Sequence, residues 1–270
     1  MRSVWPVIAA IGIGLVGMLP TAWSAAASAV PVNLQTIQAA PLAGCQGTVY
    51  LTLDTGTMRH AELIATLLQR QAVKATFFLA NETTSQGGAA LDEHWAPFWR
   101  DQVVQGHAFG SHTWRHGRFI GDVPSPKGAV RYRPQVGDEA GQTLLLEPQA
   151  VCQEIERVNQ RFREMTGRAL DPWWRAPGGI ITPNTLRAAQ ACGWTHASWA
   201  PAGFLGDELP SEQVSNQTLV QRAVTGVRDG DILMAHLGIR SRRDPFAPAL
   251  ESLIVGLKAR GFCFATLPRS

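Results

Sequence analysis

The chain has 270 residues, with 24 Lys and Arg against 21 Asp and Glu, for a formal net charge of +3 at neutral pH. So even a balance, with no run of basic residues, excludes a nucleic-acid-binding surface as the main function and suits a neutral polymer. Nine tryptophans against two tyrosines is an unusual aromatic ratio, and its distribution matters below.

At the N terminus, Met1-Arg2 gives a short positive start and residues 4–22 are almost wholly apolar and uncharged. Ala27-Ser28-Ala29 then offers an A-x-A cleavage site before Val30. Together they predict a signal peptide over 1–29 and export to the periplasm or the medium. If uncleaved, this segment is the chain's one expected membrane attachment. Residues 30–48 read as an N-terminal extension, and 49–270 as one domain.

Apolar, β-branched runs then alternate with helical spacing. Strands are predicted at 49–53, 74–79, 107–110, 173–175, 194–199, 231–236 and 262–266. Helices are predicted between them at 61–71, 95–105, 150–166, 183–192, 216–228 and 245–260. The helix at 150–166 places Val151, Ile155, Val158 and Phe162 on one face and stops at Gly167. Thr182 and Pro183 supply an N-cap and first turn for the helix at 183–192. Strict β-α alternation implies a parallel sheet with helices outside. Seven units predict an α/β fold of the incomplete (β/α)7 barrel type, with a doubly wound open sheet as the alternative. Residues 121–148, rich in Gly, Pro and charge, read as a long irregular stretch of the kind that carries function.

Cys45, Cys152, Cys192 and Cys263 remain after cleavage, and none forms a C-x-x-C pair. In an oxidising compartment an even count predicts disulfides. Barrel closure would join Cys45, ahead of strand one, to Cys263 in strand seven. The helices flanking strand four would bring Cys152 to Cys192.

The conspicuous polar residues fall at the C-terminal ends of the predicted strands, where barrel enzymes assemble their active sites. Asp54 ends strand one, His112 and His116 follow strand three, Arg175 closes strand four and His236 closes strand six. The i, i+4 spacing of His112 and His116 predicts two imidazoles on one helical face, able to share a metal. A rim arginine such as Arg175 can clamp a carboxylate bidentately. Singly, each residue has a structural alternative: Asp54 as a helix cap, His236 as a core histidine, Arg175 as a surface charge.

Taken in order, these segments resemble the polysaccharide deacetylase family with a NodB-homology domain, carbohydrate esterase family four. The family's T-F-D-D-G stands here as TLDTG over 52–56, and H-[ST]-x-x-H is complete at 112–116. R-x-P-[YF]-G stands as RAPGG over 175–179, and L-x-x-H is complete from Leu233 to His236. The tryptophan motif is met by Trp199, with its acid displaced to Asp207. The resemblance implies hydrolysis of a carbon–nitrogen bond, removing N-acetyl groups from a polysaccharide such as peptidoglycan, chitin or an exopolysaccharide. It implies a divalent metal, zinc, on His112 and His116, with Asp54 as base, Arg175 holding it and His236 as acid. It further implies the Gly178 N–H as oxyanion donor, Leu233 lining the acetyl pocket, and Asp207 orienting His236. Trp114 and Trp199 are the indoles expected to meet sugar rings. One position departs in a consequential way: Thr55 replaces the family's third metal ligand, and a hydroxyl is a poor donor to a divalent ion. Asp54, Asp122, Asp138 or Asp207 could stand in, or the enzyme could work without tightly bound metal; a sugar-binding pseudoenzyme or a relative cleaving another amide is the competing reading.

Overall fold

The computed structural model describes Met1 and residues 33–124 and 128–269; apart from Met1, the expected leader over 1–29 lies outside them, as does Val30. In chain order the elements begin with β1 (Asn33–Leu34), β2 (Gly47–Asp54), α1 (Ala61–Arg70), β3 (Thr76–Leu79), α2 (Ala96–Val104) and β4 (Ala108–Ser111). Three short strands follow: β5 (Arg118–Asp122), β6 (Val130–Arg133) and β7 (Leu144–Leu146). Then come α3 (Pro148–Thr166), β8 (Trp173–Trp174), α4 (Pro183–Ala191) and β9 (Thr195–Ala197). The chain finishes with α5 (Asn216–Gly226), β10 (Ile232–His236), α6 (Leu250–Ala259) and β11 (Phe262–Phe264).

The main sheet runs β1-β9-β8-β4-β3-β2-β10, all pairs parallel, and β11 pairs with the first half of β2. All seven strands expected from the apolar runs are present, curled as an incomplete barrel with helices outside. Alternation along each strand sorts the side chains. Leu51, Leu53, Phe77, Phe109 and Leu233 pack with Ile64, Leu68, Ile155 and Phe162 of the helices. Tyr50, Phe78, Trp173, Ala197 and Ile232 form a smaller cluster of the opposite parity, inside the curl. Residues sharing this inner parity at the strand ends include Asp54 and His236, which register opposite one another on β2 and β10.

Two expectations change. Residues 33–37 are no mere extension. Leu34 lies beside Ala197 on β9, and its carbonyl accepts from Ser198 N at 2.7 Å. Gln35 O accepts from Ile232 N at 3.2 Å, and Ile37 N donates to Gly230 O at 2.7 Å. The segment therefore closes the gap between β9 and β10 with main-chain bonds. The described residues of 121–148 are no irregular stretch either: with residues 118–120 they supply β5, β6 and β7, an antiparallel meander.

Helix ends follow local chemistry. Thr182 and Thr185 form a reciprocal capping box ahead of α4, and Gly167 takes the left-handed conformation (φ 76°) that ends α3. Disulfides link Cys45 to Cys263 and Cys152 to Cys192, with Cα atoms 5.8 and 6.2 Å apart. Among the described residues no helix is long and apolar enough to cross a membrane.

Candidate active site

Strand β2 ends by delivering Asp54 to the mouth of the curl, where it is almost wholly buried. Arg175, one residue past β8 and fully buried, reaches across the interior to it: Nη1 donates to Asp54 Oδ1 at 2.8 Å and to Thr52 Oγ1 at 2.8 Å. The other guanidinium donors are used as well, Nε on Ala197 O and Nη2 on Ser198 O, each at 2.9 Å. Phe78 lies under the guanidinium at 4.2 Å. So bound, Arg175 has one orientation. Burial alone would raise the Asp54 pKa, but Arg175, His112 and His236 together hold it below the usual carboxylate range.

Asp54 Oδ2 faces His112 Nε2 at 3.4 Å. His112 Nδ1 lies 3.0 Å from Arg175 O, a pure acceptor, so Nδ1 carries the proton and Nε2 presents a lone pair toward the carboxylate. Burial pushes the His112 pKa down to about 4, which keeps the ring neutral at physiological pH.

His116 does not sit one helical turn along. Residues 112–117 form a tight turn in which Thr113 (φ 65°) and His116 (φ 46°) occupy the left-handed region, unfavourable for a β-branched residue in particular. The expected helical face is replaced by this turn, which nevertheless brings the two rings to 4.8 Å between centroids. Glu154 of α3 braces the turn. Its main-chain carbonyl accepts from Trp114 N at 2.7 Å, and its carboxylate from Arg115 N and Nε at 3.0 and 2.7 Å. Tyr132 of β6 donates to the same carboxylate at 2.6 Å and accepts from Gly117 N at 3.1 Å.

Across the mouth, Asp207 Oδ1 lies 3.0 Å from His236 Nδ1, while Oδ2 accepts the His236 main-chain N–H at 2.8 Å. Burial disfavours a charged His236, but Asp207, aided by Asp54 and Glu208, outweighs it and raises the pKa to about 9. The site thus contains a deprotonated carboxylate and a protonated imidazole together, the two states acid–base catalysis needs.

The Arg175–Gly179 loop continues into a turn where Gly178 takes φ +66°, a conformation that disfavours the aromatic residue of the family pattern. A Cβ on Gly179 would meet Trp199 Cη2 at 2.7 Å, so glycine there lets the indole lie against the loop. Trp114 has Arg157 over one face at 4.1 Å and borders an open groove of about 1070 Å³, shared with Asn81, Arg115 and Arg157.

A profile of the family described as polysaccharide deacetylase matches residues 43–197, more than half of the chain. The chain belongs to the polysaccharide deacetylase family. Among curated relatives it is 20% identical over 221 residues to the peptidoglycan-N-acetylmuramic acid deacetylase PdaA of Bacillus subtilis, covering 82% of this chain and 70% of that protein. It is 22% identical to a peptidoglycan-N-acetylglucosamine deacetylase of Bacillus cereus, over 82% of this chain and 66% of that one. Among solved structures, a family-four pseudoenzyme of Bacillus anthracis superposes with a TM-score of 0.62 at 18% identity, over 88% of this chain and 68% of its own.

Within this polysaccharide deacetylase family chain, Leu233 corrects a sequence expectation. It packs on the helix side of β10 with Leu51 and Leu53, so it cannot line a pocket at the mouth. Met234, of the parity shared with Ile232 and His236, takes the inward place. Of the acids named as substitutes for the absent ligand, Asp122 accepts from Asn184 N, Asp207 is engaged by His236, and Asp138 sits on an exposed turn. Asp54 faces His112, and a second acid, Glu82 just beyond β3, approaches His116; the sequence reading missed Glu82. Among the described residues no three His, Cys, Asp or Glu side chains form a ready-made metal cage. The donors stand in separate pairs: His112 Nε2 faces Asp54 Oδ2 at 3.4 Å, while His116 Nδ1 lies 3.5 Å from Glu82 Oε1 and 3.2 Å from Gln135 Oε1.

Proposed function

We propose that the protein removes N-acetyl groups from N-acetylhexosamine units of an extracytoplasmic polysaccharide, with peptidoglycan the first candidate. The carrying observation is the opposition of an Arg175-clamped Asp54 and an Asp207-paired His236 at adjacent strand ends, in a chain of this family. In this reading Asp54 Oδ2, the oxygen not held by Arg175, takes a proton from the water that attacks the acetyl carbonyl. His236 then delivers a proton to the sugar nitrogen as the C–N bond breaks, so acetate and a free amine leave. The Gly178 N–H is assigned to the oxyanion of the tetrahedral intermediate, a role that needs no side chain. A divalent ion such as zinc on His112 and His116, when bound, supplies Lewis-acid polarisation of the amide oxygen. Trp199, and Trp114 along the groove it borders, are assigned to sugar rings. The leader expected from the sequence supports an extracytoplasmic setting, in which both disulfides would persist.

The test is acetate release from N-acetylglucosamine oligomers and from peptidoglycan. Asp54→Asn and His236→Ala should each lower kcat by roughly 10²–10⁴, the usual worth of a proton-transfer group, with circular dichroism unchanged. Near-normal turnover in either variant defeats the assigned mechanism. A folded wild type that binds these glycans but releases no acetate from any of them establishes the sugar-binding pseudoenzyme instead.

A further inference from the structure

The β5–β7 meander has two faces of opposite character. Phe119, Val130, Tyr132 and Leu146 join the core from the inner one. Asp122, the one acid in the sequences of these strands, shares that inner face through its register with Val130. The outer face carries Arg118, Arg131 and Arg133, all exposed, and Leu145, which lies opposite Arg131. Arg118 and Arg133 are direct cross-strand neighbours, an arrangement in which like charges repel. Among the described residues none of the three arginines forms an ion pair. Arg131 Nη1 reaches the Asp122 main-chain carbonyl at 3.4 Å, Arg133 Nη2 reaches the Thr143 hydroxyl at 3.3 Å, and the Arg118 guanidinium has no hydrogen bond. Arg115, three residues before β5, is by contrast held by both Glu139 and Glu154. The even charge of the whole chain, which suits a neutral polymer, hides this local excess. It also stands beside the reaction site: a Cβ on Gly178 would lie 4.0 Å from Arg118 Nε, so the guanidinium borders the loop assigned to the oxyanion.

From this juxtaposition we infer that the outer face of the meander is the docking surface for an anionic glycan strand, whose sugars carry carboxylates beside the acetylated unit. Arg118 and Arg133 take one carboxylate between them, which replaces their repulsion by a shared partner, and Arg131 meets the strand further out. Guanidinium donors match a carboxylate in charge and in planar geometry. The inference rests on the deacetylase reading only in taking Gly178 as the place where the acetylated sugar lies.

Equilibrium binding at low salt tests it. The probes are peptidoglycan glycan strands stripped of peptide, whose lactyl carboxylates are free, and the same strands with those carboxylates converted to methylamides. The free strands should bind roughly 25-fold more tightly, for two exposed ion pairs at about fivefold each. That advantage should shrink as salt is added. Arg118→Gln and Arg133→Gln should each remove about fivefold of the preference, read as the ratio of the two affinities. Because each substitution removes one of two facing like charges, the ligand-free variants should melt no lower than wild type. Equal affinity for the two kinds of strand, or a preference untouched by both substitutions, overturns the assignment. So does a lower melting temperature in either variant, which would mean that the fold itself engages the arginine. Tighter binding of polyphosphate than of the free strands would make the face a phosphate site and overturns it as well. Arginine-dependent binding of the free strands by a protein that releases no acetate would refute the deacetylase reading and leave this one standing. Acetate release with equal affinity for both strands would do the reverse.

Discussion

His236 and Asp207 show how much one contact decides. Asp207 lies 29 residues before His236, yet its carboxylate takes both the ring Nδ1 and the main-chain N–H of that residue. A buried lone histidine would be neutral at pH 7; this one is raised to about 9, the protonated state that the proposed acid requires. A raised folded-state pKa stabilises the fold fully below the unfolded value near 6.5, and that contribution disappears as pH climbs through about 9. The rate should follow the same group. With wild type, kcat/KM for an acetylated glycan should fall on an alkaline limb near pH 9. In Asp207→Asn the carboxylate charge is gone while the shape remains, so that limb should move to lower pH and the loss at neutral pH should grow. A limb unmoved by the substitution would assign the proton to some other group. Asp54, His112, Arg175 and His236 were legible in the sequence because each follows an apolar run, and barrel geometry carries every such position to one rim. Glu82 was not, for it reads as an ordinary acid in a polar loop. Glu154 left a fainter mark, an acid on the apolar stripe of α3 between Val151 and Ile155, where an unpartnered charge would be costly. Leu233 and Met234 were exchanged because a motif fixes spacing, whereas the pleat decides which side chain faces in.

At the scale of elements, the seven parallel strands and six helices were readable since each buries a continuous apolar face. What escaped was held by main-chain bonds or by partners distant in sequence. The meander over β5–β7 alternates burial in β6, with Val130 and Tyr132 in and Arg131 and Arg133 out, but its strands are short and its turns dominate the composition. The closing segment at 33–37 has no pattern of its own and pairs through its backbone. Leu34 and Ile37 pack against the inner cluster, and a side-chain hydrogen bond from the segment reaches toward the active site. Asn33 Oδ1 accepts from His196 Nδ1 at 2.7 Å, and His196 Nε2 accepts from Ala176 N at 3.0 Å, next to Arg175. His196 is kept neutral, its pKa pushed to about 3 by burial and by the Arg175 charge, which suits a ring that must donate on one side and accept on the other. Asn33→Ala should therefore leave a buried N–H without its partner and cost about 1–3 kcal/mol. For a domain of this size that is a fall in Tm of roughly 2–12 °C. Thermal unfolding of the two proteins measures it, and an unchanged Tm would mean that the segment is not docked in solution as it is here.

Across the whole molecule, stability and chemistry are assigned to opposite ends of the same strands. Asp54 closes β2 at the mouth, while Cys45 precedes that strand and is tied to Cys263, whose partner in register is Thr48. That bond closes a loop of 218 residues, and Cys152–Cys192 closes one of 40 between α3 and α4. Constraining the unfolded chain over so long a loop is worth about 2–5 kcal/mol in measured cases, more than the shorter loop on entropic grounds. The wide bond lies at the foot of the barrel and touches none of the groups assigned to proton transfer. Replacing Cys45 and Cys263 together by serine should accordingly lower Tm by roughly 4–20 °C at the 2–4 °C per kcal/mol expected for this length. At a temperature where both proteins are folded, kcat/KM should be unchanged within about twofold, since less than 0.4 kcal/mol of barrel strain would then reach the site. Differential scanning calorimetry and initial rates on the same preparations decide the matter. A large loss of kcat/KM in fully folded variant would show that the foot of the barrel sets the geometry of its mouth, and that the separation of stability from chemistry along β2 is not real.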